Sequence, residues 1–164
     1  MRSRLCVKKL KIYLDTSVIS HLQADDVPEK MVFTQKLWDE IKKDEFDIVL
    51  SEVVLSEIED CPEPKKTVLS EYLGEIQYQK VSLTNEVTEL ANKYIEQKVL
   101  PPKCLDDALH IASASINGCN AIVSWNFKHM VNLRTFFGVN GVNKLFGYGE
   151  IVIVPPNEIV GEEE

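Results

Sequence analysis

Short apolar segments rich in β-branched residues alternate along this chain with longer segments of helical periodicity. Such alternation is typical of a mainly parallel sheet, because a crossover connection, usually a helix, must join neighbouring parallel strands. Strands are predicted at residues 11–14, 47–50, 76–81, 121–124 and 151–154. The predicted fold is therefore α/β, with three layers (α/β/α) and a central, mainly parallel sheet of about five strands.

Helices are predicted where apolar residues recur on one face between two strands. The clearest face comprises Val87, Leu90, Ala91, Tyr94 and Ile95, and a second comprises Phe33, Leu37 and Ile41. Further helices are predicted at residues 51–59, 65–73 and 105–116, with Ser51 and Thr84 as N-caps. Residues 132–149 contain four glycines and have the weakest pattern, so we expect a mobile loop there.

The length of 164 residues and the hydrophobic content of 45% suit one domain spanning residues 1–164, with flexible ends at 1–9 and 160–164. No run approaches the roughly 18 apolar residues of a membrane span, and the N-terminal segment is too short in apolar length for a signal peptide. We therefore expect a cytoplasmic protein with no membrane association. The four cysteines lack the spacing of metal ligands, so neither a zinc site nor a disulfide framework is indicated.

The formal net charge of −8 restricts the nucleic acids that this chain could bind. An acidic surface repels phosphate, so broad, charge-driven binding to duplex nucleic acid is disfavoured. Any nucleic-acid substrate must therefore be held locally, by a few residues around one site.

Polar residues at the carboxyl ends of the predicted strands are the candidates for such a site, because ligands of open α/β sheets bind there. Asp15 directly follows the first strand, Glu57 lies on the helix after the second, and Asn126 comes just after the fourth. Asp106 and Asp107 open the helix that leads into that fourth strand. Each position also has an ordinary explanation, since such residues often cap helices, stay solvated or favour the helix dipole. No single position identifies a site.

Three segments together resemble a known family. They are IYLDTSVIS, LSEVVLSEIED and DALHIASASINGCNAIVSWNFKHM, which contain Asp15, Glu57 and Asp107 respectively. In content, order and spacing they resemble the PIN domain, the fold of the VapC-type toxins of bacterial toxin-antitoxin systems and of related ribonucleases. The resemblance spans nearly the whole chain.

The resemblance implies a catalytic and metal-binding triad of Asp15, Glu57 and Asp107 that holds Mg²⁺ or Mn²⁺. It makes Asp106 a nearby auxiliary acid, and it places Asn126 where the family often has a fourth acid. The further auxiliary residues, expected to hold waters or carboxylates by hydrogen bonds, are Thr16, Ser17 and Ser124. The implied function is metal-dependent endoribonuclease activity on RNA phosphodiester bonds, in a homodimer whose partner could be a small antitoxin.

Binding of single-stranded RNA needs stacking surfaces and a few cations. Trp125, Lys128, His129 and Arg134 follow the last acidic-site strand and are the candidate RNA-binding residues. The alternative makes Trp125 and Phe127 core aromatics and Lys128 a solvated surface residue, and for Phe127 it has at least equal weight. His110 is predicted to be packed and hydrogen-bonded rather than to serve as a ligand.

Two other enzyme classes do not fit the first strand and its turn. A haloacid dehalogenase phosphatase would have a second aspartate where Ser17 stands, and a dinucleotide-binding domain would need glycines that DTSVIS lacks. The remaining rival is a catalytically inactive PIN-like module that binds RNA or protein. Asn126 keeps this alternative open, and metal-dependent RNA cleavage would separate the two.

Overall fold

The structure is a computed structural model that describes residues 9–161. Within this range five strands form one sheet: β1 (Leu10–Leu14), β2 (Phe46–Ser51), β3 (Gln79–Val81), β4 (Ala121–Val123) and β5 (Val152–Val154). The strand order is β3-β2-β1-β4-β5, and all four neighbouring pairs are parallel. The predicted parallel sheet of about five strands is thus confirmed. The flexibility expected at residues 1–8 and 162–164 lies outside the described residues.

Seven helices flank the sheet within residues 9–161: α1 (Thr16–Ser20), α2 (Pro28–Lys42), α3 (Glu52–Glu59), α4 (Lys65–Leu73), α5 (Asn85–Glu96), α6 (Leu105–Ile116) and α7 (Leu133–Leu145). They complete the predicted three-layer α/β/α arrangement. α4 and α6 have the predicted bounds. Ser51 and Thr84 are N-caps as predicted, since their side chains accept hydrogen bonds from the Val53 and Val87 amides. None of these helices is long and apolar enough to cross a membrane.

The prediction of a mobile loop at residues 132–149 is wrong, because most of this segment forms α7. Asn132 caps the helix by accepting a hydrogen bond from the Thr135 amide at 2.8 Å. Val139 and Val142 lie on its buried side together with the polar Asn143. Glycine and asparagine on this face interrupt the apolar pattern, so sequence periodicity did not reveal the helix.

Strand β3 is shorter than predicted, since residues 76–78 lie outside it. The Ile76 amide donates to the Leu73 carbonyl at the end of α4, so the chain is still leaving the helix at that point. Ile76 and Tyr78 nevertheless pack against the core. Their apolar character therefore reflects packing rather than strand pairing.

The strand order places a switch point between β1 and β4. From β1 the chain moves to β2 and β3 on one side, and β4 and β5 lie on the other. In open α/β sheets ligands bind in the crevice at the carboxyl ends of the two strands where the order reverses. Here those ends carry Asp15 and Ser124.

Candidate active site

Asp15 bridges the ends of β1 and β4. Its Oδ1 accepts hydrogen bonds from the Ser17 amide at 3.0 Å and the Ser17 hydroxyl at 2.5 Å, which makes Asp15 the N-cap of α1. Its Oδ2 accepts from the Ser124 hydroxyl at 2.6 Å. The residue is only 4% exposed. Ser17 and Ser124 therefore fix the carboxylate, as expected for the predicted auxiliary residues.

Glu57 reaches the same region from α3. Its Oε1 accepts a hydrogen bond from the Thr16 hydroxyl at 2.9 Å and lies 2.7 Å from His110 Nε2. The Glu57 side chain remains 38% exposed, whereas the His110 side chain is 3% exposed. One carboxylate oxygen is thus held by two neighbours on other elements.

Behind Glu57 a buried chain of hydrogen bonds, called the relay below, joins His110, Tyr13 and Ser51. The Tyr13 hydroxyl is 2.6 Å from His110 Nδ1 and 2.6 Å from Ser51 Oγ. His110 is packed and hydrogen-bonded, as the sequence predicts. Tyr13, on β1, was not singled out by sequence, because its neighbour in this relay is 97 positions away along the chain.

Glu57 and His110 stabilise each other's charged form. Burial alone would lower the pKa of His110, but the hydrogen bond to Glu57 and the charges of Asp15, Glu57 and Asp107 raise it above its ordinary value. Burial alone would raise the pKa of Glu57, yet the hydrogen bonds from His110 and Thr16 and the His110 charge lower it. An ionised carboxylate only accepts hydrogen bonds, so His110 Nε2 carries a hydrogen and donates it.

Asp107 is the third member of the carboxylate cluster. Burial is the largest cause of its raised pKa, and the charges of Asp15 and Glu57 raise it further against the opposing charge of His110. The three carboxylates are therefore close enough for their charges to act on one another. Asp107 Oδ2 accepts a long hydrogen bond, 3.4 Å, from Asn126 Nδ2.

Asn126 connects the carboxylate cluster to the loop that follows β4. Its backbone amide donates to Ser124 Oγ at 2.9 Å, and its side-chain Oδ1 accepts from the His129 backbone amide at 3.0 Å. Its Nδ2 donates to Asp107. Asp106 differs, since it is exposed and its side chain makes no hydrogen bond or ion pair within residues 9–161.

The two aromatic residues of this loop differ in exposure, and the RNA-stacking role predicted for Trp125 does not agree with its burial. Trp125 is only 7% exposed, and its indole Nε1 donates to Thr34 Oγ1 at 2.8 Å, so the ring is not an open stacking surface. Phe127, for which a core role has at least equal weight in the sequence, is instead 47% exposed. Lys30 Nζ lies 5.5 Å and 5.4 Å from the centroids of the Trp125 and Phe127 rings. The Trp125 ring is therefore buried, and the Phe127 ring, two residues later, is exposed.

The three basic RNA-binding candidates lie together at one pocket. Lys128, His129 and Arg134 line a cavity of about 560 Å³, along with Lys98 at the end of the α5 segment. The sequence does not predict a role for Lys98, because this residue lies 30 positions before Lys128, in the turn that follows α5. Only the fold brings it to this place.

Comparison with known proteins gives the family of this chain and structures that share its fold. Residues 12–127, more than half of the chain, match the family model of the PIN domain. The chain belongs to the PIN domain family. Matched structures include VapBC2 from Rickettsia felis bound to a DNA fragment from its promoter, with a TM-score of 0.55 and 14% identity over 89% of this chain and 98% of that one. Another is Mycobacterium tuberculosis VapC20, a sarcin-ricin loop cleaving toxin, with a TM-score of 0.53 and 16% identity over 72% and 92%.

These two structures share the fold of this PIN domain at low sequence identity. No curated protein matches the chain in sequence. The family match includes the segments that contain Asp15, Glu57 and Asp107. The resemblance to PIN domains and VapC-type toxins that the sequence motifs indicate is confirmed.

The chemistry of the cluster suits a hard cation, although its side chains do not converge on one point. Carboxylate oxygens are the ligands that Mg²⁺ and Mn²⁺ prefer. No group of three or more His, Cys, Asp or Glu side chains in the described part of the chain is arranged to hold a metal ion. In its place, donors from Ser17, Ser124, Thr16 and His110 occupy oxygens of Asp15 and Glu57. The residues therefore fit such an ion by donor type and require local side-chain adjustment to bind it.

Proposed function

We propose that this PIN domain is a metal-dependent endoribonuclease that hydrolyses RNA phosphodiester bonds. The observation that supports this most directly is the clustering of Asp15, Glu57 and Asp107 at the switch point of the sheet, where burial and then the charges of Asp15 and Glu57 raise the pKa of Asp107. A stable fold gains nothing from like charges held together. Such a cluster is expected where a cation or a proton has to be bound.

The three carboxylates would hold Mg²⁺ or Mn²⁺. When bound, the ion would neutralise charge on the scissile phosphate and lower the pKa of a water molecule. Ser17 and Ser124 fix the orientation of Asp15, and Thr16 and His110 fix that of Glu57. A carboxylate of the cluster then orients or deprotonates the attacking water.

An ionised cluster without a cation repels RNA, whereas a bound cation attracts phosphate. Substrate binding and chemistry thus depend on the same ion. This dependence explains how a chain with a net charge of −8 could act on RNA. Asn126, which supplies no charge, limits the cluster to three carboxylates, so we expect one ion to bind tightly.

We further propose that the protein acts as the toxin of a type II toxin-antitoxin pair, with a small antitoxin protein as its partner and a homodimer as its assembly. The similarity of the fold to VapBC2 and VapC20 supports this role. An open reading frame for a small antitoxin beside the gene would be the matching genetic observation. The inactive binding module differs from this proposal in one testable respect, namely the absence of metal-dependent cleavage.

The test is cleavage of labelled single-stranded RNA by the purified protein with Mn²⁺ or Mg²⁺ and with chelator. We expect cleavage only with metal. Asp15→Asn, Glu57→Gln and Asp107→Asn should each reduce the rate by roughly 100-fold or more, as expected for residues that hold the catalytic groups. Circular dichroism should show that each variant is folded.

Two neighbouring residues provide matched comparisons. Glu59→Gln removes an exposed carboxylate from the same helix as Glu57, where it makes only a surface ion pair with Lys66 at 3.5 Å, and it should retain activity. Asp107→Asn should lose far more activity than Asp106→Asn. Full activity in all three cluster variants would disprove the assignment of the site, and no metal-dependent cleavage by the wild type would favour the binding module.

A further inference from the structure

The outer edge of the sheet is open at one residue of β5. This strand is the last in the sheet, so one of its sides faces no neighbouring strand. On its inner side the Val152 amide donates to the Asn120 carbonyl, and the Val154 carbonyl accepts from the Ser124 amide. Because backbone groups alternate in direction along a strand, those of Ile153 point to the outer side.

The outward backbone groups before and after Ile153 are already occupied. At Ile151 the Asn140 side chain supplies both partners, since its Oδ1 accepts from the amide at 2.8 Å and its Nδ2 donates to the carbonyl at 2.8 Å. Pro155 has no amide hydrogen, and its carbonyl accepts from the Glu158 amide at 3.0 Å. The outward N–H and C=O of Ile153, by contrast, form no hydrogen bond within residues 9–161.

Ile153 is also only 7% exposed. Buried backbone N–H and C=O groups are paired in nearly all proteins, because leaving them without a partner costs free energy. Such groups at the edge of a sheet are a template for one more strand. An added peptide would thus complete a pattern of hydrogen bonds that the Asn140 amide begins.

An apolar groove of about 330 Å³ lies at this edge, and we call it the β5 groove. It lies between β5 and the start of α7, and the residues that line it besides Glu158 are Val131, Asn132, Leu133, Phe136, Val152, Ile153 and Val154. Leu133 is 73% exposed and Val152 is 39% exposed. Exposed apolar surface beside an open strand edge suits the side chains of an extended peptide.

The charge of the β5 groove selects among possible ligands. Among the described residues that line it, Glu158 is the only charged one. It is exposed, and its carboxylate forms no ion pair within residues 9–161. A segment with a cation next to apolar side chains is therefore complementary to the groove, whereas the phosphates of a nucleic acid are repelled.

We propose that the β5 groove binds an extended, apolar and basic segment of another protein, which adds a strand to the edge of β5. The backbone of that segment pairs with Ile153, its apolar side chains contact Leu133 and Phe136, and a Lys or Arg pairs with Glu158. Backbone pairing supplies affinity, and the groove with its carboxylate supplies selectivity. The proposal does not depend on the ribonuclease function proposed above.

The test uses the whole chain and a labelled, acetylated hexapeptide of alternating Val and Thr with a Lys at each end. Fluorescence anisotropy should show saturable binding. The same peptide N-methylated at its inner residues should bind about tenfold or more weakly, because it has no amide hydrogen to donate to the Ile153 carbonyl.

Two matched pairs of variants locate the bound peptide. Leu133→Ser should weaken binding by roughly fivefold. Leu145→Ser changes an equally exposed leucine of α7 that does not line the groove, and it should leave binding unchanged. Glu158→Gln should weaken binding by about twofold at low salt. Glu150→Gln, which removes an exposed carboxylate at the other end of β5, should weaken it less.

Hydrogen exchange of single amides, measured by NMR, tests the pairing itself. In the free protein the Ile153 amide should exchange faster than the Ile151 amide, which Asn140 holds. Peptide at about ten times its Kd should slow exchange at Ile153 by about tenfold.

Three results would overturn the proposal. They are absence of peptide binding, exchange at Ile153 that the peptide does not change, and equal affinity for the N-methylated peptide. If the Ile153 amide of the protein without peptide becomes protected as the protein concentration rises, a second copy of the chain covers the edge, and the assignment to another protein is wrong.

Discussion

The Tyr13 hydroxyl joins three elements around the candidate site. It contacts His110 on α6 and Ser51 at the end of β2, and through His110 it reaches Glu57 on α3. Burial raises the pKa of Tyr13 far above its ordinary value, so the hydroxyl keeps its hydrogen at any physiological pH. The Tyr13 hydroxyl therefore supports Glu57, a carboxylate of the candidate site, through His110.

Tyr13→Phe should lower the free energy of unfolding by about 1–3 kcal/mol, because it leaves the buried Nδ1 of His110 without a partner and removes one of the two hydrogen bonds of Ser51 Oγ. The matched control is Tyr148→Phe. It removes the same hydroxyl from a hydrogen bond to the exposed Glu86, and it should cost within about 0.5 kcal/mol. Urea unfolding of the three proteins measures the difference. Equal effects of the two substitutions would show that the relay does not support the fold.

The sequence predicts the carboxylates of the candidate site and the hydroxyls of Thr16, Ser17 and Ser124 that bond to them, whereas it does not predict the roles of Tyr13 and Lys98. Asp15, Glu57 and Asp107 lie in segments whose order is typical of the family. Tyr13, His110 and Lys98 gain their positions from contacts between elements that are distant along the chain. Apolar and helical patterns contain no information on such contacts, and the burial of Trp125 was hidden for the same reason.

At the level of elements, short-range patterns predicted most of the fold correctly. The strand positions and the bounds of α4 and α6 follow from apolar spacing, and the two N-caps follow from Ser51 and Thr84. α7 was missed because its packing uses features that a hydrophobic pattern does not register. Asn143 on its buried side bonds to Tyr94 and Ser115, and Gly138 lets the helix approach Val99 closely.

The two central glycines of α7 give a matched pair for testing this packing. A Cβ at position 138 would lie 2.9 Å and 3.0 Å from the two methyl groups of Val99, and a β-branched side chain cannot rotate both away. Gly138→Ala should therefore destabilise the protein by about 1–3 kcal/mol. A Cβ at position 141 meets nothing within 4 Å, so Gly141→Ala should stabilise it by about 0.5–1 kcal/mol.

Thermal or urea unfolding of both variants checks the pair. The proteins differ by the same methyl group on the same helix, so propensity contributes equally to both. Stabilisation by both substitutions would mean that Val99 moves aside without cost and that the close approach of α7 is not needed.

At the level of the whole molecule, the positively charged pocket and the exposed apolar surface lie in different places. Three cations that form no ion pair among residues 9–161, Lys98, Lys128 and Arg134, line the pocket by the first turn of α7, whereas the same helix exposes large apolar side chains elsewhere. Leu133 is 73% exposed and Phe137, one turn later, is 66% exposed. The helix continues to Leu145 at 70%, and Phe146 follows it at 43%. Exposed apolar residues grouped on one helix indicate an interaction surface.

We expect this surface of α7 to form the interface of the predicted homodimer, because a two-fold interface places the same apolar patch of both subunits in contact. Light scattering at micromolar concentration should show a dimer for the wild type. Phe137→Glu should shift it to a monomer, since two buried charges would face each other across the axis. Val32→Glu introduces the same charge at a 52% exposed position on α2 and should leave the dimer intact. A wild-type monomer would contradict the homodimer, and a dimer that withstands Phe137→Glu would place the interface on another face of the protein.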